Sequence, residues 1–387
     1  MIPLKYNVRN LRVRWVTTLM IVTATGLVVW ATVLTFGLSD GLERALRISG
    51  DELDLIVLRK GSTEETSSSI DQGIAREIAN LTGIARDAAG QPLCSAEFVT
   101  ILIKARRNNG GTTNLIVRGL PPVGRALRPK FQIVQGRDIR PGVNEAITSQ
   151  RMAERFHNLA IGELLEINKV NFTIVGYFEA GGSSAESEVW TDLRDLTTAR
   201  REPSALSLVN LRATDKNAKA ALTKRIRDDE QFKLQPFDET EYYEKQMSSS
   251  IVIKFVGFAL AIFLTMGVMF AAANTMYAAV ASRGREIGAL RAIGFSRRSI
   301  LTSFLFEAVL LCLLGGLVGC LATLPLNGLS TGTLNFSTFS EITFAFRFGP
   351  TVLLRGVLMA LAMGLVGGLF PAIRAVRLPI IQALRET

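Results

Sequence analysis

The chain has 387 residues, 48% of them hydrophobic, and carries a formal net charge of +10. This positive excess lies outside one long central segment, because residues 40–250 contain 29 basic and 30 acidic residues. A nucleic-acid-binding protein would concentrate its basic residues on a folded soluble domain, so the charge distribution argues against nucleic acid as a partner.

Four long apolar runs dominate the rest of the chain. Each is at least as long as the roughly 20 residues with which a helix crosses a bilayer core of about 30 Å. They predict four transmembrane helices, at residues 15–38, 251–281, 300–325 and 350–371. The first run is too long for a cleaved signal peptide and no small-x-small pattern follows it, so we interpret it as a retained signal anchor.

Basic residues flank these runs on one side of the membrane only. They are concentrated in residues 1–14, 282–299 and 372–387, which the positive-inside rule therefore places in the cytoplasm. Both termini are then cytoplasmic, while residues 39–250 and a loop at 326–349 are extracytoplasmic. The chain is predicted to be an α-helical membrane protein with four transmembrane helices and a large α+β extracytoplasmic domain between the first two.

The two ends of this extracytoplasmic domain each have the pattern of a strand-helix-strand unit, which predicts a split mixed sheet backed by helices. The predicted units are Leu53–Leu58, Ile70–Leu81 and Phe98–Lys104 at the start, and Leu206–Leu211, Ala218–Ile226 and Phe232–Pro236 at the end. A subdomain inserted at about 121–203 is predicted to contain the strands Phe131–Val134, Leu164–Ile167 and Phe172–Tyr177 and the helix Ile147–His157.

An acidic and aromatic segment, Glu239 to Met247, follows the last predicted strand and continues without a helix breaker into the second span. This pattern predicts a continuous helical stalk, which would transmit movement mechanically between the domain and the membrane. The stalk residues are Glu239, Tyr242, Tyr243 and Glu244.

Motifs for catalysis or metal binding are absent from the sequence. No segment has the spacing G-x-x-x-x-G-K-[ST] of a phosphate-binding loop, and no zinc-site spacing occurs. The single histidine, His157, has no cysteine or serine motif near it to serve as its partner in catalysis. We therefore expect no catalytic residue, no bound cofactor and no metal in this chain, and we predict that it is not an enzyme.

Glu307 is an acidic residue inside the third predicted span, where a charge is costly and a functional role is the default hypothesis. A proton relay is one interpretation, and a structural pair with an arginine at the cytoplasmic edge is the other. We favour the pair because no second intramembrane acid is present to continue a relay. Glycines spaced four apart, Gly315 with Gly319 and Gly364 with Gly368, allow close helix packing either within one subunit or between two.

The link between the second and third spans, Arg283 to Ser296, predicts a short amphipathic helix ended by Gly294. The predicted apolar face carries Ile287, Leu290 and Ile293, and the polar face carries Arg285, Glu286 and Arg291. Such a helix either lies solvated at the membrane interface or inserts into a groove on a cytosolic partner.

This link resembles the coupling-helix signature of MacB-like permeases of ABC transporters, in the FtsX superfamily. The resemblance extends to an amphipathic elbow at 1–14, to Phe306-Glu-Ala308 in the third span and to Gly367 through Ala375 in the fourth. It implies that the link docks on an ATPase. The implied ATPase-coupling residues are Arg283, Arg285, Glu286, Ile287, Gly288, Leu290, Arg291, Ala292 and Gly294.

The resemblance also implies a complete assembly. Its members are a homodimer of this permease, a separate ABC ATPase subunit that binds ATP-Mg, and, as further partners, a periplasmic adaptor and an outer-membrane channel. The chain is similar to DevC-like permeases, which lack a fused ATPase, and the implied location is the cell inner membrane. The outside segment would be a MacB-like periplasmic core domain that moves by mechanotransmission, without cargo passing through the bilayer.

Two other functions remain open at the level of the sequence. The same machinery can regulate a cell-wall hydrolase, as the FtsX-like branch of the superfamily does, and a transmembrane sensor would also place a domain outside. The two-part domain and the four spans favour transport, and the short cytoplasmic segments leave no room for a signalling domain.

Overall fold

The computed structural model describes residues 15–107, 111–128, 130–246, 248–335 and 340–377. These residues form two compact units. We call residues 41–250 and 330–345 the large domain, and the described parts of 1–40, 251–329 and 346–387 the membrane unit. The predicted elbow at 1–14 and the end of the predicted tail, 378–387, lie outside the described residues.

The α-helices, in chain order, are α1 (Trp15–Ser49), α2 (Gln72–Ala79), α3 (Pro122–Leu127), α4 (Gln150–Arg155), α5 (Leu193–Arg200), α6 (Lys216–Asp228), α7 (Glu239–Gln246), α8 (Ser248–Ser282), α9 (Gly284–Ala292), α10 (Arg297–Thr323) and α11 (Pro350–Arg377). The strands are β1 (Asp54–Arg59), β2 (Cys94–Ala105), β3 (Thr112–Leu120), β4 (Phe131–Gly136), β5 (Glu145–Thr148), β6 (Leu164–Ile167), β7 (Val170–Ala180), β8 (Glu188–Asp192), β9 (Leu208–Arg212), β10 (Leu234–Asp238), β11 (Ser330–Leu334) and β12 (Glu341–Ala345).

Four helices of the described chain, α1, α8, α10 and α11, are long and apolar enough to cross a membrane. The prediction of four spans is therefore confirmed. Helix α1 continues to Ser49, well beyond the predicted end at Leu38, so its last turns belong to the large domain.

The large domain is built on one ten-stranded mixed sheet in the order β10-β1-β9-β2-β3-β8-β5-β7-β4, with β6 paired to β7. The two predicted end units interleave, because β1 lies between β10 and β9 and pairs antiparallel with both. The pairs β3 with β8 and β5 with β7 are parallel. The predicted split mixed sheet is thus confirmed.

Strand β2 joins the two parts of this sheet. Its first residues, Cys94 to Glu97, pair with β9, and Phe98 to Ala105 pair with β3. One hydrophobic core packs α2 and α6 against β1 and β9, and a second packs α4 and α5 against β3, β5 and β7. The insertion predicted at about 121–203 therefore extends the same sheet, and its part of the domain also includes β3.

The prediction of one helix over Ile147–His157 is wrong. Ile147 lies in β5, whose four residues are all buried between β7 and β8. Ser149 then caps α4 by accepting a hydrogen bond from the backbone N–H of Met152 at 3.2 Å. A serine at this position ends the strand and begins the helix, because its side-chain oxygen satisfies an otherwise unpaired N–H group.

Strands β3, β5, β8, β11 and β12 were not predicted. The last two form an antiparallel hairpin within the segment that the sequence predicts to be a loop at 326–349. This hairpin belongs to the large domain.

Glycines allow close packing between helices of the membrane unit. A Cβ atom at Gly319 would lie 2.5 Å from the carbonyl oxygen of Gly26 in α1, and one at Gly315 would lie 2.7 Å from that of Val22. A Cβ at Gly364 in α11 would lie 2.7 Å from the Cα of Val309 in α10. Both predicted glycine pairs thus pack within one chain in this structure.

Gly319→Ala should destabilise the protein, because the new methyl group would collide with the backbone of α1. We expect a loss of about 1–3 kcal/mol, typical of an overpacked core. Thermal unfolding of the full chain in detergent would measure it. Gly267→Ala is the matched control, since nothing lies within 4 Å of a Cβ there. Equal unfolding temperatures for the two variants would contradict this account of the helix packing.

Candidate functional site

Arg283 links α8 to α9 and is almost completely buried. Its guanidinium donates hydrogen bonds to both carboxylate oxygens of Glu307, with Nη1 2.9 Å from Oε2 and Nη2 3.1 Å from Oε1. The guanidinium carbon also lies 5.8 Å from the centre of the Phe304 ring. The planar fork of arginine matches a carboxylate in this two-bonded geometry, which fixes the direction as well as the position of both side chains.

Glu307 is likewise buried, in the middle third of α10. Its contact with Arg283 is the structural pair that the sequence favours over a proton relay. Within the membrane unit, the pair ties the turn after α8 directly to α10. A buried ion pair is stabilising only while both partners are present, so neither residue can be removed alone without cost.

Helix α9 packs its inner face on three other helices. Ile287 is 2% exposed and lies in a cluster with residues of α8, α10 and α11. The buried members of this cluster are Met276, Val280, Ile287, Ile300, Phe304, Ala308, Ala372 and Ala375, with Leu290 packed against them. Arg291 is half-buried, and its Nη1 lies 3.4 Å from the carbonyl oxygen of Val376.

The opposite face of α9 is exposed and carries Arg285, Glu286, Ala289 and Ala292. Ile293 is 78% exposed, so the prediction that it shares a face with Ile287 and Leu290 is wrong. At 100° per residue, six residues after Ile287 a side chain lies about 240° around the helix axis and points away from the cluster.

Gly294 ends α9 as the sequence predicts. It has φ +104, its N–H bonds to the carbonyl of Arg291, and the N–H of Phe295 bonds to the carbonyl of Leu290. This pair of bonds is the Schellman motif, in which glycine provides the left-handed residue. Ser296 then caps α10 by accepting a hydrogen bond from the N–H of Ser299.

The predicted coupling residues therefore form two groups. The inward group holds α9 on the membrane unit and comprises Arg283, Ile287, Gly288, Leu290 and Arg291. The outward group is exposed and comprises Arg285, Glu286, Ala292 and Gly294. Ile293 joins the outward group, although the sequence placed it inside. The contribution of each residue to coupling stays a prediction.

The predicted stalk residues lie on α7. Glu239 is 5% exposed and accepts hydrogen bonds from the backbone N–H of Asp51 at 2.9 Å and from the Asn210 side-chain amide at 3.2 Å. Tyr242 is buried, with its ring 5.6 Å from that of Tyr243, and Glu244 is exposed. Helix α7 is thus fastened to the sheet by its first turn.

The continuity of this stalk with the second span depends on Met247, which lies outside the described residues. Helix α7 ends at Gln246 and α8 begins at Ser248. The continuous helical stalk therefore stays a prediction.

Burial raises the pKa of Glu239 to about 8, and the nearby carboxylate of Asp54 acts in the same direction. Asp54 itself is paired with Arg212, whose Nε lies 2.7 Å from Oδ1 and whose Nη2 lies 2.8 Å from Oδ2. At neutral pH the Glu239 side chain is therefore mainly protonated in the folded chain.

Two family models match the chain. The model of the MacB-like periplasmic core domain matches residues 18–229, and that of the FtsX-like permease C-terminal domain matches residues 255–380. The first match covers more than half of the chain and the second covers α9 with its inner and outer faces.

Curated relatives also match part of the chain. The macrolide export ATP-binding/permease protein MacB of Syntrophobacter fumaroxidans is 41% identical over 112 residues, which cover 29% of this chain and 14% of the relative. The protein with the same description from Photorhabdus laumondii is 29% identical over 247 residues, covering 58% of this chain and 35% of the relative. The chain thus spans about a third or less of these relatives.

Among solved structures, the periplasmic region of MacB from Actinobacillus actinomycetemcomitans is similar with a TM-score of 0.38 and 11% identity. The similarity covers 53% of this chain and 96% of that chain.

Glu307→Gln should destabilise the chain strongly, because it leaves the charge of Arg283 buried without its partner. The expected loss is about 3–5 kcal/mol, measured by thermal unfolding in detergent. Glu241→Gln is the control, since it removes one partner of an exposed ion pair with Lys245 and should cost about 0–1 kcal/mol. Wild-type stability of Glu307→Gln would show that the pair does not hold α9 in place.

Glu239 should make stability depend on pH. Between the unfolded value of 4.5 and the folded value of about 8, the folded chain retains a proton that the unfolded chain releases, so stability falls as pH rises through this range. The slope should approach about 1.4 kcal/mol per pH unit. Glu239→Gln should flatten the unfolding free energy against pH, whereas Glu244→Gln, at an exposed position, should not. An unchanged slope in Glu239→Gln would refute the pKa assignment.

Proposed function

Since the chain belongs to the MacB-like family of FtsX-superfamily ABC transporter permeases, we propose that it is an exporter subunit driven by a separate cytosolic ATPase. It is a multi-pass membrane protein with an extracytoplasmic domain. In the proposed mechanism, ATP hydrolysis moves that domain by mechanotransmission. ATP-Mg binds to the ATPase, and this chain supplies the surface on which the ATPase docks.

The observation that carries the proposal is that α9 has a buried, fixed inner face and an exposed outer face. Its inner face is held by the pair of Arg283 with Glu307 and by the buried Ile287. Its outer face presents Arg285 and Glu286 beside the exposed side chain of Ile293. A short helix with a fixed inner face and a mixed polar and apolar outer face suits insertion into a groove on a partner. Force applied to the outer face would pass into three membrane helices.

The length of α1 supports transmission to the outside. A helix of 35 residues is about 52 Å long, whereas the hydrocarbon core of a bilayer is about 30 Å thick. Its last residues, from Gly41 onward, belong to the large domain. One unbroken helix thus runs from a membrane span into the domain that is proposed to move.

The charge distribution supports the proposed orientation. By the positive-inside rule, the basic segments support a cytoplasmic location for α9 and both termini, with the large domain outside the cell inner membrane. The near-neutral segment 40–250 suits a translocated domain.

The remaining members of the assembly are proposed from the family. They are a second copy of this permease, a periplasmic adaptor and an outer-membrane channel. The relatives are macrolide export ATP-binding/permease proteins, which supports export as the direction of transport.

Glu286→Lys should abolish stimulation of the ATPase and export while leaving the chain folded, because Glu286 is exposed on the outer face. Arg291→Glu is a less clean variant, since Arg291 also packs against α11. ATPase activity and export would be measured in reconstituted vesicles with protein amount matched by immunoblot. Glu166→Lys makes the same charge change at an exposed position of the large domain and should retain both activities. Retained coupling in Glu286→Lys would reject α9 as the docking surface.

A further inference from the structure

The β11–β12 hairpin connects the ends of α10 and α11, yet it is part of the large domain. Its five residue pairs run from Ser330 with Ala345 to Leu334 with Glu341. Four of the five residues of β12 are buried. The hairpin is therefore a packed element of the domain, and the chain enters and leaves it through two membrane helices.

Glu341 is the polar centre of this packing and its side chain is only 1% exposed. Its Oε2 accepts a hydrogen bond from Arg106 Nε at 2.7 Å, and its Oε1 is paired with Arg155 Nη2. Arg106 follows β2, and Arg155 is the last residue of α4. We call this set of three residues the Glu341 clamp. One buried carboxylate thus ties the hairpin to two separate segments of the large domain.

Further contacts extend from the clamp along β12. The backbone N–H of Thr343 donates to Ser187 Oγ at 2.8 Å, and the two hydroxyl oxygens lie 3.0 Å apart. Phe344 is 1% exposed, and its ring would lie 3.1 Å from a Cβ atom at Gly41 in α1. The hairpin therefore contacts both the sheet part of the domain and the last turns of α1.

Gly332 in β11 provides the space that the clamp occupies. A Cβ atom there would lie 2.8 Å from Arg155 Nη2 and 3.0 Å from the Cδ of Glu341. Its backbone φ lies outside the left-handed region, so the need for glycine is steric. Any larger residue at this position would displace the carboxylate or the guanidinium.

We infer that the Glu341 clamp makes the hairpin a third mechanical linkage of this permease, joining α10 and α11 to the large domain. The inference rests on the proposed function and adds to the link made by the continuous helix α1 and to the stalk predicted at α7. Without the clamp, only the remaining contacts of β12, such as that of Thr343 with Ser187, would hold the hairpin on the large domain. With it, a displacement of these helices must either move the large domain or separate a buried ion pair.

Hydrogen-deuterium exchange on the purified full chain tests the clamp without any partner. Glu341→Gln removes the charge and keeps the shape, so the amides of β12 should exchange about tenfold or more faster than in the wild type. Glu52→Gln is the control, since Glu52 pairs with Lys216 at the surface of the same domain. Unchanged exchange of β12 in Glu341→Gln would overturn the assignment of the clamp.

Export with the partner ATPase tests the linkage. Gly332→Ala should reduce export per ATP hydrolysed several-fold while ATPase stimulation persists. Gly111→Ala, where nothing lies within 4 Å of a Cβ, should leave the ratio unchanged. A disulfide formed in Ser187→Cys/Thr343→Cys should restore export to Glu341→Gln, and reductant should reverse the effect. Oxidant should not alter export by the wild type.

The outcomes separate this inference from the proposed function. Wild-type ratios of export to hydrolysis in Gly332→Ala and Glu341→Gln, with faster exchange of β12, would overturn the linkage alone. A wild-type chain that shows no ATP-dependent export would overturn the proposed function and the linkage with it.

Discussion

The buried pair of Arg283 with Glu307 is the interaction on which the rest of the membrane unit depends. It forms at the turn where α8 ends and α9 begins, and it fixes that turn against α10. The two hydrogen bonds between Arg283 and Glu307 constrain the geometry of the turn between α8 and α9. The inner face of α9 is thereby directed onto the apolar cluster around Ile287. The outer face is then presented in a defined direction. The docking role proposed for α9 would need this rigidity, since a flexible link would absorb the movement of a partner.

Buried ion pairs serve a similar role in the large domain. Arg118 in β3 donates to three carboxylates, those of Glu65, Glu97 and Glu188, at 2.6 to 2.9 Å. It thereby joins β2, β3, β8 and the short helical turn at Glu65–Ser67. The Glu341 clamp joins the hairpin to the same domain. Such pairs are poor sources of net stability but are costly to break on one side, so they hold segments in one arrangement. In both units they lie where elements from distant parts of the sequence meet.

The sequence predicted correctly those features that depend on residues close together in the chain. The four spans follow from length and apolarity, and the end of α9 follows from Gly294. The partner of Glu307 lies 24 residues earlier, beyond a turn, so the periodicity of one helix does not identify it. Strand β8 was missed because Glu188 and Asp192 make its sequence look polar. In the structure, Glu188 accepts a hydrogen bond from Arg118, and Asp192 caps α5. Ile293 was misplaced because its apolar character was taken to mean burial, whereas its angular position on α9 directs it outward.

The claim that this chain transmits work from a cytosolic ATPase is tested most directly by identifying what it binds in the native membrane. The tagged full chain would be solubilised gently, purified and analysed by mass spectrometry. If α9 docks on an ATPase that drives export, an ABC ATPase is recovered in stoichiometric amount, together with an adaptor or an outer-membrane channel. Recovery of the ATPase with a cell-wall hydrolase instead would replace export by regulation while retaining the coupling. Absence of any ATPase, under conditions that preserve a known ABC complex, would contradict the account.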